Sequence, residues 1–369
     1  MIPYSTQLID EDDIKAVTKT LKSSHLTQGR SVESFEKAIS EYVGVKNAIV
    51  FNSATSALFA LYSTMDIKKG DEVITTPVSF VATSNMFVTL GAKPVWCDIK
   101  NDGNIDENLI ENLITSKTKA IVAVDFGGKP VEHLKIKKIT QKNNLLYIDD
   151  ASHAFGSEIN GQKVGSFTDA TIFSFHAIKP FTTGEGGCVV TDDDKLAKKL
   201  RLFRSHGIVK QELYKSDMIQ MGYNFRMTEF QATLGLSQLK KVDNFIKKRD
   251  EIASYYDKRF EDNEFFTTQK IEPYQKSSHH LYPILLDEKL TPKKDQIFKK
   301  LQDNAIGVQV HYRPIYQNSF YIEKFGKISL KNADKFYERE ISIPCHQKMS
   351  LDDARFVADT LLQVMEKYG

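Results

Sequence analysis

Residues 145–191 read LLYIDDASHAFGSEINGQKVGSFTDATIFSFHAIKPFTTGEGGCVVT. Three short apolar runs stand in this stretch, Leu145–Asp149, Ala170–Phe175 and Gly187–Thr191. Each is bounded by Gly, Ser, Thr or Asp, as buried strands that stop at turns are. After the first run comes Asp149-Asp150-Ala151-Ser152-His153. After the second comes Ser174-Phe175-His176-Ala177-Ile178-Lys179, then Thr182-Thr183-Gly184-Glu185-Gly186-Gly187. In open α/β sheets ligands bind beyond the carboxyl ends of the strands, so these are the positions where chemistry is expected.

Upstream the pattern continues through Asn47–Phe51, Glu72–Thr76, Pro94–Asp98 and Lys119–Val124, with helix-period segments or turn clusters between most of them. Strand–helix alternation of this kind predicts an α/β fold with a mostly parallel sheet. Before it, Ser31 is expected to open a helix carrying Val32, Phe35, Ile39 and Tyr42 on one side, closed by Gly44. Beyond about residue 228 the character changes. Glu229–Phe260 reads as one long helix, broken at most once, with Leu234, Leu236, Leu239, Val242 and Ile246 as its stripe. His280–Leu286, Val308–Tyr312 and Ile341–Pro344 read as strands. A helix starts at Thr291-Pro292 and ends near Gly307. Ser350 with Asp353 resembles a capping box for a final helix. Two domains are expected, residues 1–240 and 241–369.

The 369 residues carry 50 Lys plus Arg against 48 Asp plus Glu, a net charge of +2. That balance argues against a phosphate-backbone binder, so no nucleic-acid partner is expected. The 41% hydrophobic and 27% charged residues are ordinary globular values and exclude wholesale disorder. Cys97, Cys188 and Cys345 have no CxxC spacing, which excludes a cysteine zinc knuckle and a disulfide scaffold; no metal is expected. The start, MIPYSTQLIDEDD, has no apolar signal region, and no run of about 18 apolar residues occurs. A cytoplasmic protein with no membrane partner is therefore expected.

The strand-end residues suit one small, aromatic, phosphorylated cofactor. Asn52-Ser53-Ala54-Thr55-Ser56 follows the first strand, and Thr76-Pro77-Val78-Ser79-Phe80 the second. Small hydroxyl residues at a helix N-terminus offer N–H groups and a positive dipole end to a phosphate. A carboxylate such as Asp150 can hold a pyridinium proton, an aromatic such as Phe80 can stack, and Lys179 can form a Schiff base with an aldehyde. Pyridoxal phosphate needs these four things. Taken singly, each residue has a plainer reading. The hydroxyls would cap a helix, Asp150 would serve a turn, Phe80 would be core, and Lys179 would be solvated. His153 and His176 would be satisfied structural histidines. The ordered combination at successive strand ends is what favours the cofactor. A dinucleotide enzyme fits less well, because no GxGxxG follows a strand and Gly184-Glu185-Gly186-Gly187 precedes one.

In these residues the chain resembles the DegT/DnrJ/EryC1/StrS sugar aminotransferases, within fold type I of the pyridoxal-phosphate enzymes. The resemblance runs from Leu26–Gly29 to Ile343–His346. It is most specific at Asn52–Leu58, Ser79–Asn85, Asp149–Gly156, Ser174–Gly187 and Gly222–Glu229. It implies a three-layer αβα large domain with a seven-stranded, mostly parallel sheet, and a smaller α+β C-terminal domain. It further implies that Lys179 carries the Schiff base, Asp150 pairs with the pyridine nitrogen, Phe80 stacks on the ring and His153 lies near the phenolic oxygen. Ala54 N–H, Thr55 and Ser174 would hold the phosphate. Asn224 would reach a phosphate in the neighbouring subunit, implying a homodimer with shared sites, with Arg226 as a weaker candidate there.

Dehydratase relatives replace the lysine with histidine, so Lys179 favours amino transfer. Asp125 departs from the histidine that many members carry. The stretches FNSATSAL, IKNDGNID, FSFHAIKP, LFRSHG, GLSQLKK and HLYPIL resemble the pseudaminic-acid subgroup. That likeness implies L-glutamate as donor and a UDP-4-keto-6-deoxy-N-acetylhexosamine, UDP-4-keto-6-deoxy-L-AltNAc, as acceptor at C4. Another nucleotide keto-sugar would need the same cofactor residues. A non-catalytic regulator on this fold is disfavoured by Lys179, Asp150 and Thr55 standing together. His311, Tyr312 and Arg313 either face the substrate or form a domain-interface cluster. Lys129 and Arg30 read as solvated surface charges.

Overall fold

The computed structural model describes every residue, Met1–Gly369. Seven strands form the large sheet: β1 (Asn47–Phe51), β2 (Glu72–Thr75), β3 (Lys93–Trp96), β4 (Thr118–Val124), β5 (Leu146–Asp150), β6 (Ala170–Ser174) and β7 (Gly187–Thr191). Their order is β1-β7-β6-β5-β4-β2-β3. All pairs are parallel except those of β7, which runs antiparallel to both β1 and β6. Alternate residues leave each strand on opposite faces, and both faces are dry. From β1, Ile49 and Phe51 enter one core while Ala48 and Val50 enter another. Strands buried on both sides must be continuously apolar, which is why these runs were visible in the sequence.

Helix α1 (Glu11–Leu21) starts with a capping box between Asp10 and Asp13. Helix α2 (Arg30–Val43) ends at Gly44 in the left-handed region, φ 81°. It does not start at Ser31 as expected. Gly29 is the cap position, and the Glu229 carboxylate accepts the N–H groups of Gly29, Ser31 and Val32. The acceptor that satisfies this helix end comes from a distant part of the chain. Helix α3 (Ala54–Thr64) follows β1 directly, capped by Ser53 and Ser56. Helix α4 (His133–Asn143) leads into β5.

The long helix is broken once, into α5 (Glu229–Leu239) and α6 (Val242–Arg259). The first turns of α6 bury Val242, Phe245 and Ile246 with Phe155 and Phe173. Its later turns bury Ile252, Ala253 and Tyr256 in a second core of 23 residues. That core surrounds a small antiparallel sheet, β8 (Phe266–Thr268), β9 (Tyr282–Leu286) and β10 (Glu340–Ile343), and the final helix α7 (Leu351–Tyr368). Helix α7 has the expected Ser350–Asp353 capping box. Residues 308–312 are not a strand. Only Gln309 bridges to Ser342, and the His311 N–H donates to the Glu340 carboxylate, which takes it out of any backbone ladder. The helix after Thr291 is a short 3-10 turn followed by Lys294–Asp303, ending before Gly307. Lys129 is no surface charge: it is buried and pairs with Asp102 at 2.7 Å. No helix is long and apolar enough to cross a membrane.

Candidate active site

A cleft of about 440 Å³ opens at the carboxyl ends of β1, β5 and β6. The expected residues Ala54, Thr55, Phe80, Asp150, His153, Ser174 and Lys179 line it, and so do His311 and Tyr312. Asn224 and Arg226 do not. Asn224 is exposed and bridges to Ser205.

The N-terminus of α3 forms one wall. The N–H groups of Ala54 and Thr55 have no acceptor within the protein. Gly187 lets α3 sit this close to the sheet, because a Cβ there would lie 2.5 Å from the Ala54 N and Cα. A helix start with unpaired donors is a ready anion site. Ser174, at the end of β6, stands at the same cleft.

Asp150 ends β5 and faces inward. Its carboxylate accepts Thr83 Oγ1 at 2.6 Å and Ser152 Oγ at 2.5 Å, while Ser79 lies 2.8 Å from Thr83. Phe80 is 59% exposed, an unusual position for a phenyl ring that borders a cleft. Its free face is open to a planar ligand.

Lys179 Nζ lies 3.3 Å from His280 Nε2 and makes no ion pair with any carboxylate. Burial lowers its amine to about 7; Asp150 opposes that shift and Arg249 adds to it. Arg249 is itself fully buried with no acidic partner, and burial brings it to about 10. His153 accepts the Gly127 N–H at Nδ1, 3.3 Å, so its proton sits on Nε2, 3.2 Å from the Tyr312 hydroxyl. Burial, then Lys179 and His311, pushes His153 well below the usual histidine range. His311 Nδ1 lies 2.8 Å from Ser342 Oγ, and burial takes the ring down to about 3. Behind it, burial lifts Glu340 to about 8.

Several cleft residues were not singled out in the sequence. Thr83, Ser152 and His280 are the main ones, together with Tyr4. A hydroxyl two residues after Asp150 was a usable signal, because an Asp side chain commonly accepts the backbone N–H two residues on, which brings that residue's hydroxyl to the carboxylate. Thr83 and His280 reach the cleft only through the fold.

Unpaired N–H groups on α3, an exposed ring, an inward carboxylate with hydroxyl donors and a lysine without a counter-ion match the four needs of pyridoxal phosphate.

Comparison with known proteins gives the family of the chain. The model of the DegT/DnrJ/EryC1/StrS aminotransferase family matches residues 7–362. The UDP-4-amino-4,6-dideoxy-N-acetyl-beta-L-altrosamine transaminase of Campylobacter jejuni strain 81-176 is 53% identical over 100% of this chain and 98% of its own. Among solved structures, Helicobacter pylori PseC, an aminotransferase involved in the biosynthesis of pseudoaminic acid, superposes with a TM-score of 0.98. It is 47% identical and both chains are covered completely. The PLP form of Spr1654 from Streptococcus pneumoniae gives a TM-score of 0.95 at 30% identity, covering 100% of this chain and 99% of that one. With a family model spanning nearly its whole length, this chain belongs to the DegT/DnrJ/EryC1/StrS aminotransferase family.

Proposed function

We propose that the protein is a pyridoxal-phosphate-dependent transaminase that moves an amino group from L-glutamate to C4 of UDP-4-keto-6-deoxy-L-AltNAc, a step of pseudaminic acid biosynthesis. One observation carries the reading: a chain 53% identical, end to end, to a transaminase named for that amino sugar keeps Lys179 and Asp150 on one cleft. The PLP form of a 30% identical structure supports the cofactor.

When bound, pyridoxal phosphate supplies an electron sink for the charge that develops as the donor carbon loses its proton. The residues of the chain bind, orient and move protons around it. Ala54 and Thr55 N–H, with Ser174, hold the phosphate at the positive end of α3. Phe80 covers one face of the ring and keeps water off it. Asp150, oriented by Thr83 and Ser152, accepts the hydrogen bond of the ring nitrogen and keeps that proton in place. His153 directs its Nε2 side toward the phenolic oxygen. Lys179 would hold the aldehyde carbon of the cofactor through Nζ. When not so bonded, Nζ would be the group that moves the proton between the donor α-carbon and C4′, and with the keto sugar it would serve C4 of the sugar in the same way. A base in this role works best when it is neutral near working pH, which an amine brought to about 7 by burial satisfies.

The same reading takes His311 and Tyr312 as sugar-side contacts, divides the chain at residue 240 into a cofactor domain and a C-terminal domain, and places the enzyme in the cytoplasm. It also makes the enzyme a homodimer. Asn224 serves the partner's phosphate, with Arg226 beside it. Support for the dimer is that Asn224 is exposed and outside its own cleft, next to a hairpin that exposes Leu213, Tyr214 and Met218.

The test is to incubate the loaded enzyme with L-glutamate and UDP-4-keto-6-deoxy-L-AltNAc and assay both products. Equal amounts of 2-oxoglutarate and amino sugar are expected. One equivalent of 2-oxoglutarate per site without amino sugar would overturn the acceptor. No 2-oxoglutarate at all would overturn amino transfer from glutamate.

A further inference from the structure

The residue that meets the Lys179 amine is His280, which lies on the segment leading into β9. Its Nε2 stands 3.3 Å from Nζ. The ring is buried, and its other nitrogen, Nδ1, has no hydrogen-bond partner. A neutral imidazole carries one proton, on one nitrogen or the other. A buried N–H without an acceptor is rarer in folded proteins than a buried acceptor without a donor. The proton therefore belongs on Nε2, where it has a partner, and Nδ1 is left bare. An N–H facing an amine nitrogen at this distance needs a lone pair to receive it. A neutral Lys179 has that lone pair and an ammonium does not. A hydrogen bond made only to the neutral form favours that form.

We propose that His280 is a catalytic residue of the transamination, donating its Nε2–H to the Lys179 lone pair and so parking the amine as a free base whenever it is not bonded to the cofactor.

The position of the ring is fixed from behind. Arg249, on α6, donates to the carbonyls of His279 (3.0 Å), His280 (3.4 Å) and Cys345 (2.8 Å) and to Gln347 Oε1 (2.9 Å). The His153 ring packs 4.4 Å from that of His280. The groups around Nζ work in opposite directions. Asp150 on β5 favours the ammonium, but its oxygens are engaged by Thr83 and Ser152. Arg249 from α6 favours the free amine. His153 and His311 are held neutral by burial. His176 and Glu185 face each other at the cleft rim, 3.9 Å apart. His280 is the one group in this set within hydrogen-bonding distance of the amine. In the cycle, the free Lys179 amine would gain the donor carbon's proton and give it up at C4′. His280 keeps its own proton throughout and only makes or releases the hydrogen bond.

The catalytic part of this inference rests on the transaminase reading, but the contact itself can be tested without turnover. The full-length protein, stripped of cofactor, is labelled with trace acetic anhydride across pH 5.5–9.5, and the Lys179 peptide is quantified by mass spectrometry. His280→Gln keeps a donor at the reach of Nε2; His280→Asn moves the same amide to the reach of Nδ1. One hydrogen bond corresponds to about one pKa unit, so Asn is expected to cut labelling at pH 6.5 by about tenfold. Gln is expected to stay within about twofold of wild type. Equal behaviour of Gln and Asn, or wild-type labelling in Asn, would overturn the proposal. Neutron diffraction from wild-type crystals needs no variant: a deuteron on His280 Nε2 is expected, and one on Nδ1 would overturn it. If Lys179 proved unable to bind pyridoxal phosphate, the transaminase reading would fail while both measurements still reported on the contact.

Discussion

Two aspartates stand side by side at the end of β5, and the strand sends them to opposite faces of the sheet. Asp150 opens into the cleft, where Thr83 and Ser152 donate to it. Asp149 points into a closed chamber with Asp125 and His133, whose ligand-type atoms all lie within 4.8 Å of one another. Both Asp149 oxygens lack donors. His133 Nε2 lies 3.2 Å from Asp125 and 3.8 Å from Asp149. Burial first, and then Asp125, push Asp149 well above the usual carboxylate range. Burial therefore favours the neutral acid over the carboxylate at Asp149. The same side chain, one residue apart, opens on the cleft on one face and closes a packed layer on the other. What separates the two roles is the supply of donors and access to the cleft.

Changes on the cleft side should cost turnover. Lys179→Ala removes the proposed anchor and base, and kcat is expected to fall by at least about a thousandfold while phosphate contacts still hold the cofactor. Turnover near wild type would remove Lys179 from the reaction. Asp150→Asn should lower kcat by about a hundredfold or more with cofactor affinity largely kept, measured by cofactor titration beside steady-state rates. The matched change Asp149→Asn should leave kcat within about threefold, because its side chain never reaches the cleft. Similar losses in both variants would erase the distinction. Thr83→Val removes one of the two side-chain donors to Asp150, and a loss of about fivefold in kcat is expected.

The smallest effect belongs to the chamber and appears in stability. The folded pKa of Asp149 is raised, so the stability it contributes is full below the ordinary carboxylate range and is lost as pH rises toward the folded value. Asparagine does not titrate. The unfolding temperature of Asp149→Asn relative to wild type should therefore climb between pH 4 and pH 8, by about 1–2 °C for each kcal/mol involved. A flat difference across that range would contradict a proton on Asp149.

The chamber and the cleft also differ in how far the sequence revealed them. All seven strands of the large sheet were legible, because strands buried on both faces carry unbroken apolar runs. The hairpin at 208–218 was not, since its residues are exposed and follow no alternating pattern. Lys179, Asp150, Phe80 and Thr55 were legible because they follow strands in order. His280 was read only as the first residue of a strand, and nothing local marks its approach to Lys179, 101 positions away. Glu229 capping α2 and Glu340 receiving the His311 N–H are of the same kind: long-range carboxylates replace a local cap or ladder partner. The Ser31 cap and the 308–312 strand were both misread for that reason. Asp125 was noted as a departure from the family pattern, but its partnership with Asp149 and His133 needed the packed sheet to appear.

The proposed chemistry of the cleft runs through one lysine, Lys179. The most direct measurement is borohydride reduction of the pyridoxal-phosphate-loaded enzyme followed by peptide mapping. A reduced cofactor adduct on the peptide carrying Lys179, and absent after prior treatment with L-glutamate, is the expected result. An adduct on another lysine, or none at all, would contradict it.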